Sequence, residues 1–195
     1  MVPTRRYASL LLVTASEDTA ALFARMLPSE RFAPEYSVCS AHEAAFVLGE
    51  TAFDVVAVDA ATLPDEALSI AAAAQKSGVT NILLIASESH FEAAAAYAEE
   101  NGFMALKSPV DPSLLRQSLG MMAAASARLH ELEDKAEDLK TRLEETRLVD
   151  RAKLILIQRF KMTEKDAHRF IEKNAMDRCV KRRAIAESII RTYQN

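Results

Sequence analysis

The residues best placed to do chemistry are cations. Residues 151–195 carry 12 Lys and Arg against 5 Asp and Glu, whereas the preceding 150 residues carry 12 basic and 23 acidic side chains. Lys165, Arg169 and Lys173 are spaced four apart, which puts them on one face of a helix. Lys181, Arg182 and Arg183 open the next helical pattern, where the helix dipole disfavours positive charge, so the cluster points to a use rather than to local stability. Lys153, Arg159, Lys161 and Arg178 complete the set. Such side chains neutralise a polyanion, and a small basic module on an acidic body meets it at one end only.

A second group lies at the ends of apolar runs. Asp59 closes FDVVAVD, Ser87 follows ILLIA, and Lys107 follows FMAL. No nucleophile–base arrangement is visible, and His42, His90, His130 and His168 are scattered without metal-ligand spacing. Neither an enzyme nor a bound metal or cofactor is expected. Cys39 and Cys179 lie far apart with no motif around either, as two reduced thiols of a cytoplasmic protein would.

These residues need elements to position them. Half of the 195 residues are apolar, with 4 Gly and 6 Pro, which fits a helix-rich chain with one ordinary domain and one small one. No apolar run approaches 18 residues, so no membrane span is expected. Arg5 and Arg6 precede the run 10–13 in the manner of a weak signal peptide, but the run is short and leads into Glu17 and Asp18; it reads as a buried strand. Further strands are expected near 36–39 and at 53–59, 81–86 and 103–106. Helices alternate with them: one capped by Ser16, then 41–49 ended by Gly49, 65–76 stopped at Gly78, and 91–100 closed by Asn101-Gly102. Five buried strands alternating with helices imply a doubly wound parallel sheet in an α/β domain, with ligands at the carboxyl ends of the strands.

Beyond Asp111-Pro112 the pattern changes. Residues 113–160 lack proline and contain one glycine, Gly120. Leu129, Ala136 and Leu143 are seven apart, with Leu132 and Leu139 between them, the seam of a coiled coil. An unbroken helix here would be on the order of 70 Å long, and pairing with a second copy is the economical way to cover its seam; an intramolecular hairpin of helices is the alternative. Thr163 can cap a following helix with Ala167, Phe170, Ile171 and Ala175 on its inner face, and a last helix has Ile185, Ile189, Ile190 and Tyr193 as its stripe. The tail is therefore a small three-helix bundle, with Phe160, Phe170 and Tyr193 expected in its core and base stacking on exposed rings not expected. The expected division is 1–120, 121–148 and 149–195.

Residues 7 to about 120 resemble the receiver domain of two-component response regulators, a flavodoxin-like fold. The resemblance implies an acidic pair after the first strand that holds a divalent ion, and an aspartate after the third that accepts a phosphoryl group. It also implies a hydroxyl after the fourth strand and a lysine after the fifth. Asp59 and Lys107 match; the hydroxyl position reads Ala86, with Ser87 one place late, and the acidic pair is replaced by Thr14 and Ala15. Phosphoryl transfer to a carboxylate needs a metal against converging negative charge, and one carboxylate is too few to hold it. A pseudo-receiver is expected, with Asp59 paired to Lys107; a working phosphoacceptor is the alternative.

RAKLILIQRFKMTEKDAHRFIEKNAM at 151–176 and AIAESII at 184–190 resemble the ANTAR domain of transcription antitermination regulators, and the full order of parts is similar to that of the antiterminators of amidase and ethanolamine operons. Leu154 stands where Gly is common, Lys161 replaces a turn Gly, and Arg182 lies near a usually aliphatic position. The resemblance implies a homodimer that binds hairpin RNA in nascent leader transcripts, controlled by a regulatory protein or sensor kinase at the receiver-like domain. An adaptor that docks proteins, or a regulator driven by phosphorylation of Asp59, are the competing readings.

Overall fold

Apolar runs too short for helices become the strands of one sheet. The computed structural model describes residues 7–27, 31–79 and 81–193, without the side chains of 33–36; Arg5 and Arg6 lie outside this range. The strands β1 (Ala8–Val13), β2 (Phe32–Val38), β3 (Val55–Asp59), β4 (Asn81–Ala86) and β5 (Met104–Lys107) pair in parallel in the order β2-β1-β3-β4-β5. Between them run α1 (Glu17–Met26), α2 (Ala41–Glu50), α3 (Ala67–Lys76) and α4 (Phe91–Asn101), and after β5 comes α5 (Pro112–Phe160). This is the doubly wound α/β fold expected of a receiver.

The strands are apolar on both sides because both sides are covered. Leu11, Val13, Val56, Val58, Ile82 and Leu84 share one core with Ala44 and Leu48 of α2, Ile70 and Ala74 of α3, and Ala98 of α4. Their neighbours Leu10, Leu12, Val55, Ala57, Leu83 and Ile85 meet Phe23 of α1 and Leu115, Leu119 and Met122 of α5. The period of two along each strand thus sorts the side chains between two cores. At the amino ends of the strands, Asp54 accepts from the Ser9 backbone N–H at 2.7 Å and pairs with His130 Nε2 at 2.8 Å, while Asn81 donates to Ser126 Oγ at 2.9 Å. These bonds tie α5 to the sheet.

Helix ends follow local chemistry. Ser16 and Ser40 accept from backbone N–H groups in the first turns of α1 and α2. Asp111 caps α5, accepting from the N–H groups of Ser113 and Leu114, with Pro112 as the first helical residue. Gly78 and Gly102, at φ +92° and +72°, close α3 and α4. Gly49 does not end its helix: α2 continues to Glu50, and Thr51 caps it through Val47 O.

The chain divides into two compact units, the first ending at His130 and the second starting at Glu131, inside α5. The second unit comprises the rest of α5, α6 (Glu164–Asp177) and α7 (Arg182–Tyr193). Its core joins Val149, Ala152 and Leu156 to Ala167, Ile171 and Ala175 and to Ile185, Ala186 and Ile189, the three-helix bundle that the periodicity of the tail calls for. Leu129 is half-buried, and Ala136 is exposed. Leu132, Leu139 and Leu143 are 54%, 65% and 52% exposed, so the described residues leave this part of the seam open.

Candidate nucleic-acid interface and the receiver edge

In α6 the line Ala167, Ile171 and Ala175 is buried, which turns Lys165, Arg169 and Lys173 to solvent. Thr163 starts the helix by accepting from Asp166 N–H at 3.2 Å. At its end, Val180 N–H reaches Ala175 O at 3.0 Å and Cys179 N–H reaches Met176 O at 3.1 Å, the paired bonds of a Schellman turn. The left-handed residue of that turn is Cys179 at φ +51°, where Gly is the easier occupant. Lys161, in the turn between α5 and α6, has φ +53°. That conformation explains why glycine suits position 161.

The ten basic residues expected at the interface divide in two. Lys153 is only 16% exposed and bridges Asp150 at 2.8 Å and Glu164 at 3.3 Å, carboxylates that raise its pKa, Asp150 most. Arg182 lies 3.7 Å from both Glu145 and Glu172. Arg183 pairs with Glu187 at 2.8 Å and Glu144 at 4.0 Å, and Glu187 chiefly raises its pKa. Arg182 and Arg183 at the start of α7 thus have a structural reason: acids on α5, α6 and α7 offset the unfavourable dipole, a pairing the sequence pattern does not reveal. Arg159 is exposed. Lys161, Lys165, Arg169, Lys173, Arg178 and Lys181 are exposed too, and no carboxylate among the described residues pairs with them.

The aromatic residues depart from expectation. Phe160 and Phe170 are 47% and 40% exposed rather than buried, and Tyr193 is half-buried. Phe160 ends its helix, so the core line it continues runs out into solvent, where it meets Tyr193 edge-to-face with centroids 5.1 Å apart. Phe170 stands beside the buried line of α6 and not on it. Met176 is exposed within the basic stripe.

At the receiver edge, β1 and β3 are neighbours where the strand order reverses, the place where such sheets bind ligands. Asp59 is buried there, and Thr14 Oγ1 donates to its Oδ2 at 2.7 Å while Ala61 N–H donates to its Oδ1 at 3.2 Å. The expected pairing with Lys107 is absent: Lys107 is half-exposed and pairs with Glu88, which holds the Glu88 carboxyl below its ordinary range. Ser87 turns away too, its Oγ lying 2.9 Å from His90 Nδ1. The structure therefore brings together Asp59 and Thr14, and not Asp59, Lys107 and Ser87. Glu17 and Asp18 lie in the first turn of α1. These residues do not fit a divalent ion: a hydroxyl and a methyl stand where carboxylates are needed, and among the described residues no three of His, Cys, Asp and Glu gather as a metal site. No helix among them is long and apolar enough to cross a membrane.

Comparison with known proteins follows the same division. Residues 137–190 match the ANTAR domain family. The transcriptional regulatory protein PdtaR of Mycobacterium tuberculosis is 34% identical over 96 residues, 49% of this chain and 47% of that protein, so the match spans about half the length of the curated relative. Among solved structures, the two component transcriptional regulator AraC from Clostridium phytofermentans superposes with TM-score 0.54 at 12% identity, over 65% of this chain and 98% of that one. The signal receiver domain of an HD domain-containing protein from Pseudomonas fluorescens gives 0.53 at 19%, over 62% and 98%. A response regulator receiver protein from Sinorhizobium medicae gives 0.50 at 20%, also over 62% and 98%. Likeness at these identities shows the fold alone. The chain thus carries a segment of the ANTAR domain family at residues 137–190, after a domain with the receiver fold.

Proposed function

We propose that the chain regulates transcription by binding hairpin RNA through its ANTAR domain, and that antitermination in nascent leader transcripts follows. The observation that carries this reading is the stripe of Lys165, Arg169 and Lys173, exposed and unpaired with carboxylates beside a core that fixes its helix. Lys153, Arg182 and Arg183 are engaged by acids of their own bundle, so the stripe, with Lys161, Arg178 and Lys181, is what remains for phosphates. A hairpin loop suits it because A-form stems hide their major groove while loops splay their bases. The molecule acts by binding, not catalysis, in the cytoplasm, as a homodimer through Leu129, Leu132, Ala136, Leu139 and Leu143. Exposed leucines at heptad spacing support pairing with a second copy.

In this reading the receiver-like domain is a pseudo-receiver that takes its input from a bound regulatory protein or a sensor kinase. Thr14 in contact with Asp59, and Lys107 turned to Glu88, support the loss of metal-dependent phosphorylation. Two measurements test the proposal. Hairpin affinity should fall as salt rises, the logarithmic slope growing by about 0.7–0.9 per phosphate contact; a flat response would remove the RNA reading. A small phosphodonor with magnesium should leave the chain unlabelled, and labelling abolished by Asp59→Asn would restore a working phosphoacceptor.

A further inference from the structure

We propose that this module reads unpaired loop bases by stacking them on Phe160 and Phe170. The inference rests on the RNA-binding reading and adds to it the part of the RNA that is recognised. Both rings are large apolar groups left about half in water, beside a core of aliphatic side chains against which Tyr193 packs. Phe160 touches Tyr193 edge-to-face, a geometry that engages only part of each ring and leaves π surface open. Phe170 has its own helix turn for support: Asn174 Nδ2 donates to Phe170 O at 2.8 Å.

What surrounds the rings selects the ligand. Phe160 lies between Arg159 and Lys161 in the chain, and Phe170 follows Arg169 and sits one turn from Lys173. The core of a protein–protein interface is depleted of lysine, and both rings have one at hand. Single-stranded nucleic acid asks for the opposite, aromatic faces for bases set among cations for the phosphates between them. In an RNA hairpin the only bases free to leave the stack are in the loop, or in a bulge. The stripe on α6 then holds the backbone, and the rings distinguish a loop with bases from a loop of bare sugar and phosphate.

The test uses the full-length protein and a pool of RNA hairpins with one fixed stem and a randomised loop. The enriched hairpin is compared with a copy whose loop positions are abasic, on wild type and on Phe160→Leu and Phe170→Leu, which keep apolar volume and remove the π face. Phe160→Tyr and Phe170→Tyr serve as rescue, and circular dichroism melts check folding. Stacking predicts about a tenfold loss for each Leu variant on the intact hairpin. It also predicts recovery in the Tyr variants and no further loss on the abasic copy. An enriched hairpin bound equally by wild type and both Leu variants overturns the stacking proposal and leaves the RNA reading standing. A Leu loss that is equally large on the abasic copy also overturns stacking. A pool with no enriched loop, bound no better than tRNA, overturns both.

Discussion

Cys179 and Lys161 occupy left-handed backbone that favours glycine, and their roles differ. Cys179 closes α6 with the same pair of turn bonds that Gly78 and Gly102 make for α3 and α4. A Cβ in that conformation costs about 1 kcal/mol, so Cys179→Gly should raise the thermal midpoint without altering hairpin affinity. A lower midpoint in a melt would show that the side chain contributes more than its backbone costs. At the same scale, the Thr14 hydroxyl stands against Asp59. Thr14→Val keeps the shape but removes the donor, and should cost about 1–3 kcal/mol in a urea titration because a buried acceptor loses its partner. What the sequence left hidden lies at this scale. Asp59, Lys107 and Ser87 close consecutive strands and so must share an edge, but which of them touch depends on side-chain competition. Glu88 lies next to Ser87 and captured Lys107; the pairing of Glu144 and Glu145 with Arg183 and Arg182 depends on where α7 packs, which spacing along one helix does not encode.

Elements were far more legible. Strand positions follow from apolar runs such as ILLI, and helix caps from Ser16 and Thr163, because these signals are local. Gly49 misleads for the same reason: as a single residue it reads as a stop, but it lacks the left-handed φ of Gly78 and Gly102, and α2 runs on to Glu50. For α5 the cap makes a pH prediction. Asp111 accepts from Ser113 and Leu114, and these bonds hold its pKa below the ordinary 3.8. A depressed acid contributes stability above its unfolded pKa and loses it as pH falls through the folded value. Asp111→Ala should therefore lower the thermal midpoint at pH 7, and the gap to wild type should close below about pH 4; a gap constant to pH 2 would assign the effect to something other than the carboxylate. The middle of the same helix makes a second prediction. Leu139→Asp puts a charge in the proposed seam and should raise the dimer dissociation constant at least about tenfold in sedimentation equilibrium. An unchanged constant would place the interface elsewhere.

Over the whole molecule, charge is divided along the chain: acidic before residue 151 and basic after it. That imbalance points to a polyanion, and the structure narrows which cations are left to meet it. Lys153, Arg182 and Arg183 are held by acids of their own bundle, whereas Lys165, Arg169 and Lys173 face solvent. Charge counting sees only the total; burial and pairing decide how much of it is available. RNA binding by this stripe is read from the affinity of the Lys165→Glu/Arg169→Glu double variant of the whole chain for a hairpin that the wild-type chain selects. The complex should be at least about tenfold weaker and its salt dependence shallower, with the melt of the protein unchanged. A folded double variant that binds the hairpin as tightly as wild type would contradict it.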